Sequence, residues 1–135
     1  MESCMSLNNP HFEYHRNLLQ ALKAAVEPQP PFCEPDATEA EREFVLALAR
    51  LCEATALTED IAYEGQQLIG KAIASYPHIT PLISRDLFWF FGGDCLHFMP
   101  DEDIANYQIL DEKRFEAESN GEVFDFADQR AKIFE

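Results

Sequence analysis

Apolar residues recur along most of this chain at helical spacing, and each run predicts a helix. Phe12, Tyr14, Leu18, Leu19, Leu22 and Val26 form one broad face of a first helix over 10–26. Asn8 or Asn9 caps it, and Pro10 sits in its first turn, where the missing N–H costs nothing. Pro28 ends it, and Pro28, Pro30, Pro31 and Pro35 make 27–37 a stiff, extended connector inside the domain, with Phe32 packing back on the body. Thr38 opens a second helix, with Glu41 three residues on completing a capping box. Phe44, Val45, Leu48, Leu51 and Cys52 mark its buried face, and it runs as far as Ala56. Thr58 opens a third, reaching Tyr76 along Ile61, Leu68, Ile69, Ala72 and Ile73. Gly65 and Gly70 lie inside it. Glycine weakens a helix, so close approach of a neighbour is the expected compensation.

The densest apolar stretch comes next. Leu87 to Phe91 runs without a break, Gly92-Gly93 stops it, and Cys95, Leu96, Phe98 and Met99 resume. Burying one large side chain is worth about 1.5–3 kcal/mol, so this segment belongs at the centre of the fold. Thr80-Pro81 reads as the start of a fourth helix reaching Phe91, with Ser84 as a further capping residue. A buried strand would fit Leu87–Phe91 equally well by period alone; the absence of a second strand to pair with favours helix. Asp94 to Met99 is a short helical turn or an irregular segment. Pro100 with Asp101, Glu102 and Asp103 then gives a strong helix start, carboxylates lying near the positive end of the dipole. Ile104, Tyr107, Leu110 and Phe115 follow it to Ser119, and Asn120-Gly121 ends it. A last short helix over 125–134 clamps to the body through its apolar residues. The expected fold is all-α, a compact single domain over 1–135. Five or six helices surround a central aromatic-rich helix, with 120–135 packed on the body.

Charge adds to this picture. The 135 residues carry 25 acids and 10 bases, a net charge of −15. Residues 1–60 hold 11 acids and 4 bases, residues 61–100 only 3 and 2, and residues 101–135 again 11 and 4. A nearly uncharged middle therefore forms the interior, with acidic ends as shell. Such a field disfavours direct contact with nucleic acid or an anionic membrane and favours a basic protein partner. No window approaches the roughly 18 consecutive apolar residues of a membrane span. The start lacks a basic region followed by an apolar run, and Cys4, Cys33, Cys52 and Cys95 form no Cys-x-x-Cys pair. Reduced thiols in a cytoplasm are the corresponding expectation.

Candidate chemistry is sparse. His11 and His15 share a helix face at i and i+4, the spacing of helical zinc sites, but Glu13 is not placed as in His-Glu-x-x-His. Asp94 and His97 are the better pair: after a flexible Gly-Gly they can share one face, Asp94 orienting His97 as a base, or both ligating a metal with Asp101 or Asp103. The plain alternative is a capping aspartate and a histidine at the rim of the core. Arg85 and Lys71 are the only bases of the middle segment; Arg85 is an anion-binding candidate, or simply a partner of Asp86 or Glu64. No cofactor is implied.

Eleven Phe, four Tyr and one Trp leave aromatic surface to spare in so small a helical domain. Trp89, Phe91, Phe98, Tyr107, Phe124 and Phe126 are the candidate contact residues, though core is the alternative for each. The function expected is an acidic helical protein–protein interaction or regulatory protein without catalytic activity, its partner a basic protein or itself as a homodimer. Two rivals stand beside it. One is a small enzyme or ligand- or metal-binding domain with a pocket around Gly92–His97. The other is an acidic nucleic-acid mimic that binds a basic DNA-binding protein.

Overall fold

The computed structural model describes residues 10–134, of Asp94 the backbone only. The proposed Asn8 or Asn9 cap and Cys4 lie outside the described residues. Among the described residues, six α-helices and two 3-10 turns account for the regular structure and there is no strand. The helices are α1 (Pro10–Val26), α2 (Glu39–Cys52), α3 (Glu59–Ser75), α4 (Arg85–Phe91), α5 (Asp101–Ser119) and α6 (Phe126–Phe134). The fold is the all-α array that the apolar spacing predicts.

Helix starts follow side-chain chemistry. The Thr38 hydroxyl accepts the Glu41 N–H, and the Glu41 carboxylate accepts the Thr38 N–H, closing the capping box of α2. Thr58 does the same for α3 through the Ile61 N–H. Ser84 accepts the Asp86 N–H and begins α4. Thr80-Pro81 starts only the 3-10 turn Thr80–Leu82. Extended backbone at Ile83 then interrupts the chain, so the fourth helix is shorter than its first proline suggests. Asp94–Phe98 belongs to the second 3-10 turn, Gly93–Phe98, and Met99 follows it in extended conformation. Pro100 caps α5 from just outside it.

The proline segment corrects the expectation of an extended connector. Hydrogen bonds from Gln29 to Val26, Cys33 to Gln29, Glu34 to Pro31 and Ala37 to Glu34 fold it into successive turns, with a cis Pro30–Pro31 bond. Phe32 does pack back, against Phe44 and Tyr76 at ring distances of 5.4 and 4.9 Å.

α1 packs against α2, α4 and α6, α3 lies between α2 and α4, and α5 pairs with α6. α2 and α3 are antiparallel: Phe44 near the start of α2 meets Tyr76 beyond α3 at 5.1 Å, whereas Arg50 near its end reaches Glu64 early in α3 at 3.9 Å. One continuous core joins Leu19, Leu48, Leu51, Ile69, Ile79, Leu87 and Leu110, all 2% exposed or less. α4 runs through it, with Leu87, Phe88, Phe90 and Phe91 buried. At Gly65 the Phe91 ring lies 2.3 Å from where a Cβ would stand, the close approach that glycine permits. The C-terminal end of α4 is fastened to α3 by Gln66 Nε2, which donates to the Phe91 carbonyl at 2.9 Å.

Candidate functional site

The polar group at the centre of the molecule is Asp86. It stands in the first turn of α4, beside the apolar run, and is 1% exposed. Its carboxylate accepts hydrogen bonds from three helices: Tyr14 Oη of α1 at 2.8 Å, Tyr107 Oη of α5, and Arg130 Nε of α6 at 2.7 Å. A buried charge is tolerable only when paired and hydrogen-bonded, and here both conditions hold. Burial and the bond to Asp86 push Tyr14 up to about 12 and raise Tyr107 as well, so both phenols stay protonated donors. The Arg130 guanidinium also lies 4.7 Å over the Phe134 ring. The carboxylate and its three donors tie four helices together and are already satisfied by one another. Sequence reasoning passed over Asp86 as a neighbour of the Ser84 cap; the one available signal was an acid directly abutting five large apolar residues.

A second cluster adjoins it. His11 and His15 do share a face of α1, with ring centroids 4.6 Å apart, but the face turns inward. His15 is 1% exposed and stacks on Phe90 at 4.3 Å and 6°, with Phe126 at 5.1 Å. Its Nδ1 donates to the His11 carbonyl at 2.8 Å, which fixes the neutral tautomer. Burial is the main cause that brings His15 down to about 4, Arg114 assisting against the opposing His11 carbonyl and Asp86. Burial, then His15 and Arg114, brings His11 down to about 3. Aromatic rings occupy the positions around these imidazoles, and among the described residues no group of three metal-ligating side chains converges. The pair is an aromatic packing element.

The Gly92–His97 segment lies at the start of the second 3-10 turn. Cys95 is buried and His97 exposed, and the side chain of Asp94, with the proposed Asp94–His97 pairing, lies outside the described part. A cavity of about 350 Å³ adjoins the turn, lined by Gln66, Gln67, Gly70, Lys71, Cys95 and Phe98. Arg85 does not pair with Asp86 or Glu64. It bonds the buried Asp103 at 2.8 Å, because Asp86 points inward to α6 while Arg85 turns outward to the start of α5. Asp101, the remaining weak metal candidate, is exposed.

Of the aromatic contact candidates, Phe91, Tyr107 and Phe126 are 4%, 0% and 5% exposed and belong to the core rather than to a free surface. Trp89 is half-buried, stacked on Tyr107 at 5.7 Å, with Nε1 donating to Asp111 at 3.1 Å. Phe124 is half-buried; Phe98, at 47%, is open. Other large apolar side chains are exposed too: Leu46, Leu57, Tyr63, Leu82, Ile109 and Val123, and also Phe115, which helical spacing groups with the buried Tyr107 and Leu110. Ile109 and Phe115 lie on the outer face of α5. There Glu102, Ala105, Ile109, Glu112 and Glu116 succeed one another at steps of three and four, and all are exposed.

Residues 7–135 match the family model described as PA2817-like. The chain belongs to the PA2817-like family. No curated protein and no solved structure matches it. Among the described residues, no helix is long and apolar enough to cross a membrane.

Proposed function

We propose that this is an acidic interaction or regulatory domain without catalytic activity, which binds a basic segment of another protein along the outer face of α5. The observation that carries it is that face itself: Ile109 stands exposed in the row of Glu102, Glu112 and Glu116, and Phe115, with the Arg114 guanidinium 4.7 Å over its ring, stands exposed beside Glu112. Two apolar contacts within an acidic rim suit an amphipathic basic helix, with the apolar pair supplying affinity and the carboxylates orientation and encounter rate. The net charge of −15 acts in the same sense at long range.

The experiment is cross-linking capture by the full chain from cells that make it, run beside Phe115→Glu and a Glu112→Lys, Glu116→Lys variant. A basic protein captured by the natural chain and lost from both variants is the expected result. A captured set that is not basic, or that survives both changes, overturns the proposal.

A further inference from the structure

The chain carries a net charge of −15, so two copies repel at long range. The face between α2 and α3 is locally neutral. Between α2 and α3 runs an open groove of about 300 Å³, lined by Ala40, Glu43, Phe44, Ala47, Tyr63 and Leu68, with Arg50, Glu64 and Lys71 at its sides. Its two acids and two bases cancel. Lys71 forms no ion pair among the described residues, and the Arg50–Glu64 contact at 3.9 Å is exposed on both sides. Leu46 and Tyr63 stand out of the same helix pair, 54% and 61% exposed.

The order of charges along α2 is self-complementary. Glu43, Leu46, Ala47 and Arg50 are spaced so that a second α2, laid antiparallel about a two-fold axis between residues 46 and 47, meets the first in opposite sign. Glu43 then faces Arg50 of the second copy, Arg50 faces its Glu43, and each Leu46 falls against the small Ala47 opposite. We infer that the α2–α3 face is a homodimer interface in which a second copy of this chain fills the groove. A foreign basic segment is the less favoured occupant, because Arg50 and Lys71 would oppose it. The inference uses a different surface from the α5 face, so it stands or falls independently of that proposal.

The test is sedimentation equilibrium on the full chain, on Glu43→Arg, and on the double variant Glu43→Arg with Arg50→Glu. The natural chain should form a concentration-dependent dimer. Glu43→Arg places like charges at two symmetry-related contacts and should weaken association by about tenfold or more. The double variant exchanges both signs and should recover most of that loss, which a merely misfolded variant cannot do. A natural chain that stays monomeric at high concentration overturns the inference. So does a dimer that is equally strong in all three proteins, or one that Glu43→Arg weakens and the double variant does not restore.

Discussion

Asp86 and Arg130 stand 44 residues apart in the chain and 2.7 Å apart in the fold, and their ion pair is what fastens the last helix to the central one. The carboxylate side of the pair is 2% exposed and the guanidinium 25%, so the two ends are unequally dependent on each other. Removing one partner of a buried pair costs about 3–5 kcal/mol, because the other charge is left without compensation.

Asp86→Ala therefore strands two tyrosine hydroxyls and a guanidinium at once and should lower the unfolding free energy by about 3 kcal/mol or more. Arg130→Met leaves Asp86 with both tyrosine donors and should cost less. Its effect should concentrate on α6, read as faster proteolysis in the Asn120–Asp125 segment. Urea titration of both variants checks the order. A loss below about 1 kcal/mol for Asp86→Ala would show that the hub is ornamental to stability.

Acid should weaken the fold through His15, which is buried, and the half-buried His11. Burial holds His11 and His15 at about 3 and about 4, against an ordinary 6.5 that the unfolded chain recovers. The folded state thus binds fewer protons than the unfolded one below that value. Stability is fully present above 6.5 and is lost as pH falls from 6.5 toward 4. His15→Phe keeps the stack on Phe90 and removes one of the titrating groups. Its urea midpoint should fall less than the natural chain's between pH 6.5 and 4.5, measured at several values across that window. Equal slopes would mean that the histidines titrate alike in both states.

Most of the helices were readable because their start signals are local. Thr38 with Glu41, and Thr58 ahead of an apolar stripe, act within three residues and fold as read. Two local readings misled. Thr80-Pro81 and Ser84 both carry start signals four residues apart, and nothing nearby says that Ile83 turns extended between them. The prolines of 27–37 fix φ but leave ψ free, so a turning path fits them as well as an extended one. The Asp86 hub is of another kind: its donors lie 72, 21 and 44 residues away, and no spacing rule reaches that far. The aromatic candidates divided for the same reason. Tyr107 has its hydroxyl on Asp86 and is core, whereas Phe98, five residues before the buried Asp103, stays open.

Gly65 and Gly70 stand in one helix and should answer opposite ways to the same substitution. At Gly70 an added methyl meets nothing within 4 Å, so Gly70→Ala should gain the helix propensity of alanine, about 0.5–1 kcal/mol. At Gly65 it meets three atoms of the Phe91 ring within 2.5 Å, and Phe91 is 4% exposed with little room to withdraw. Overpacking of this kind costs about 1–3 kcal/mol, more than the propensity gain returns. Thermal unfolding of the two variants distinguishes them; the same sign for both would mean that the α3–α4 contact yields easily.

Salt should act in opposite directions on the two proposed surfaces. Raising ionic strength from about 20 mM to about 200 mM shortens the screening length from roughly 20 Å to roughly 7 Å. Two copies that each carry −15 repel across such distances, and their contact at the α2–α3 face is locally neutral. Screening removes the long-range repulsion while the short Glu43–Arg50 contacts and the apolar residues between them are affected less. Self-association should therefore strengthen with salt. A basic segment on the α5 face is drawn by that same charge, and its binding should weaken over the same range. Sedimentation of the chain alone, and titration with a Lys- and Leu-rich amphipathic peptide, follow the two equilibria separately. Self-association that weakens with salt would mean that attraction between opposite charges, and not the screened repulsion of two acidic copies, sets its strength. Peptide binding indifferent to salt would remove the carboxylates of α5 from recognition and leave only Ile109 and Phe115.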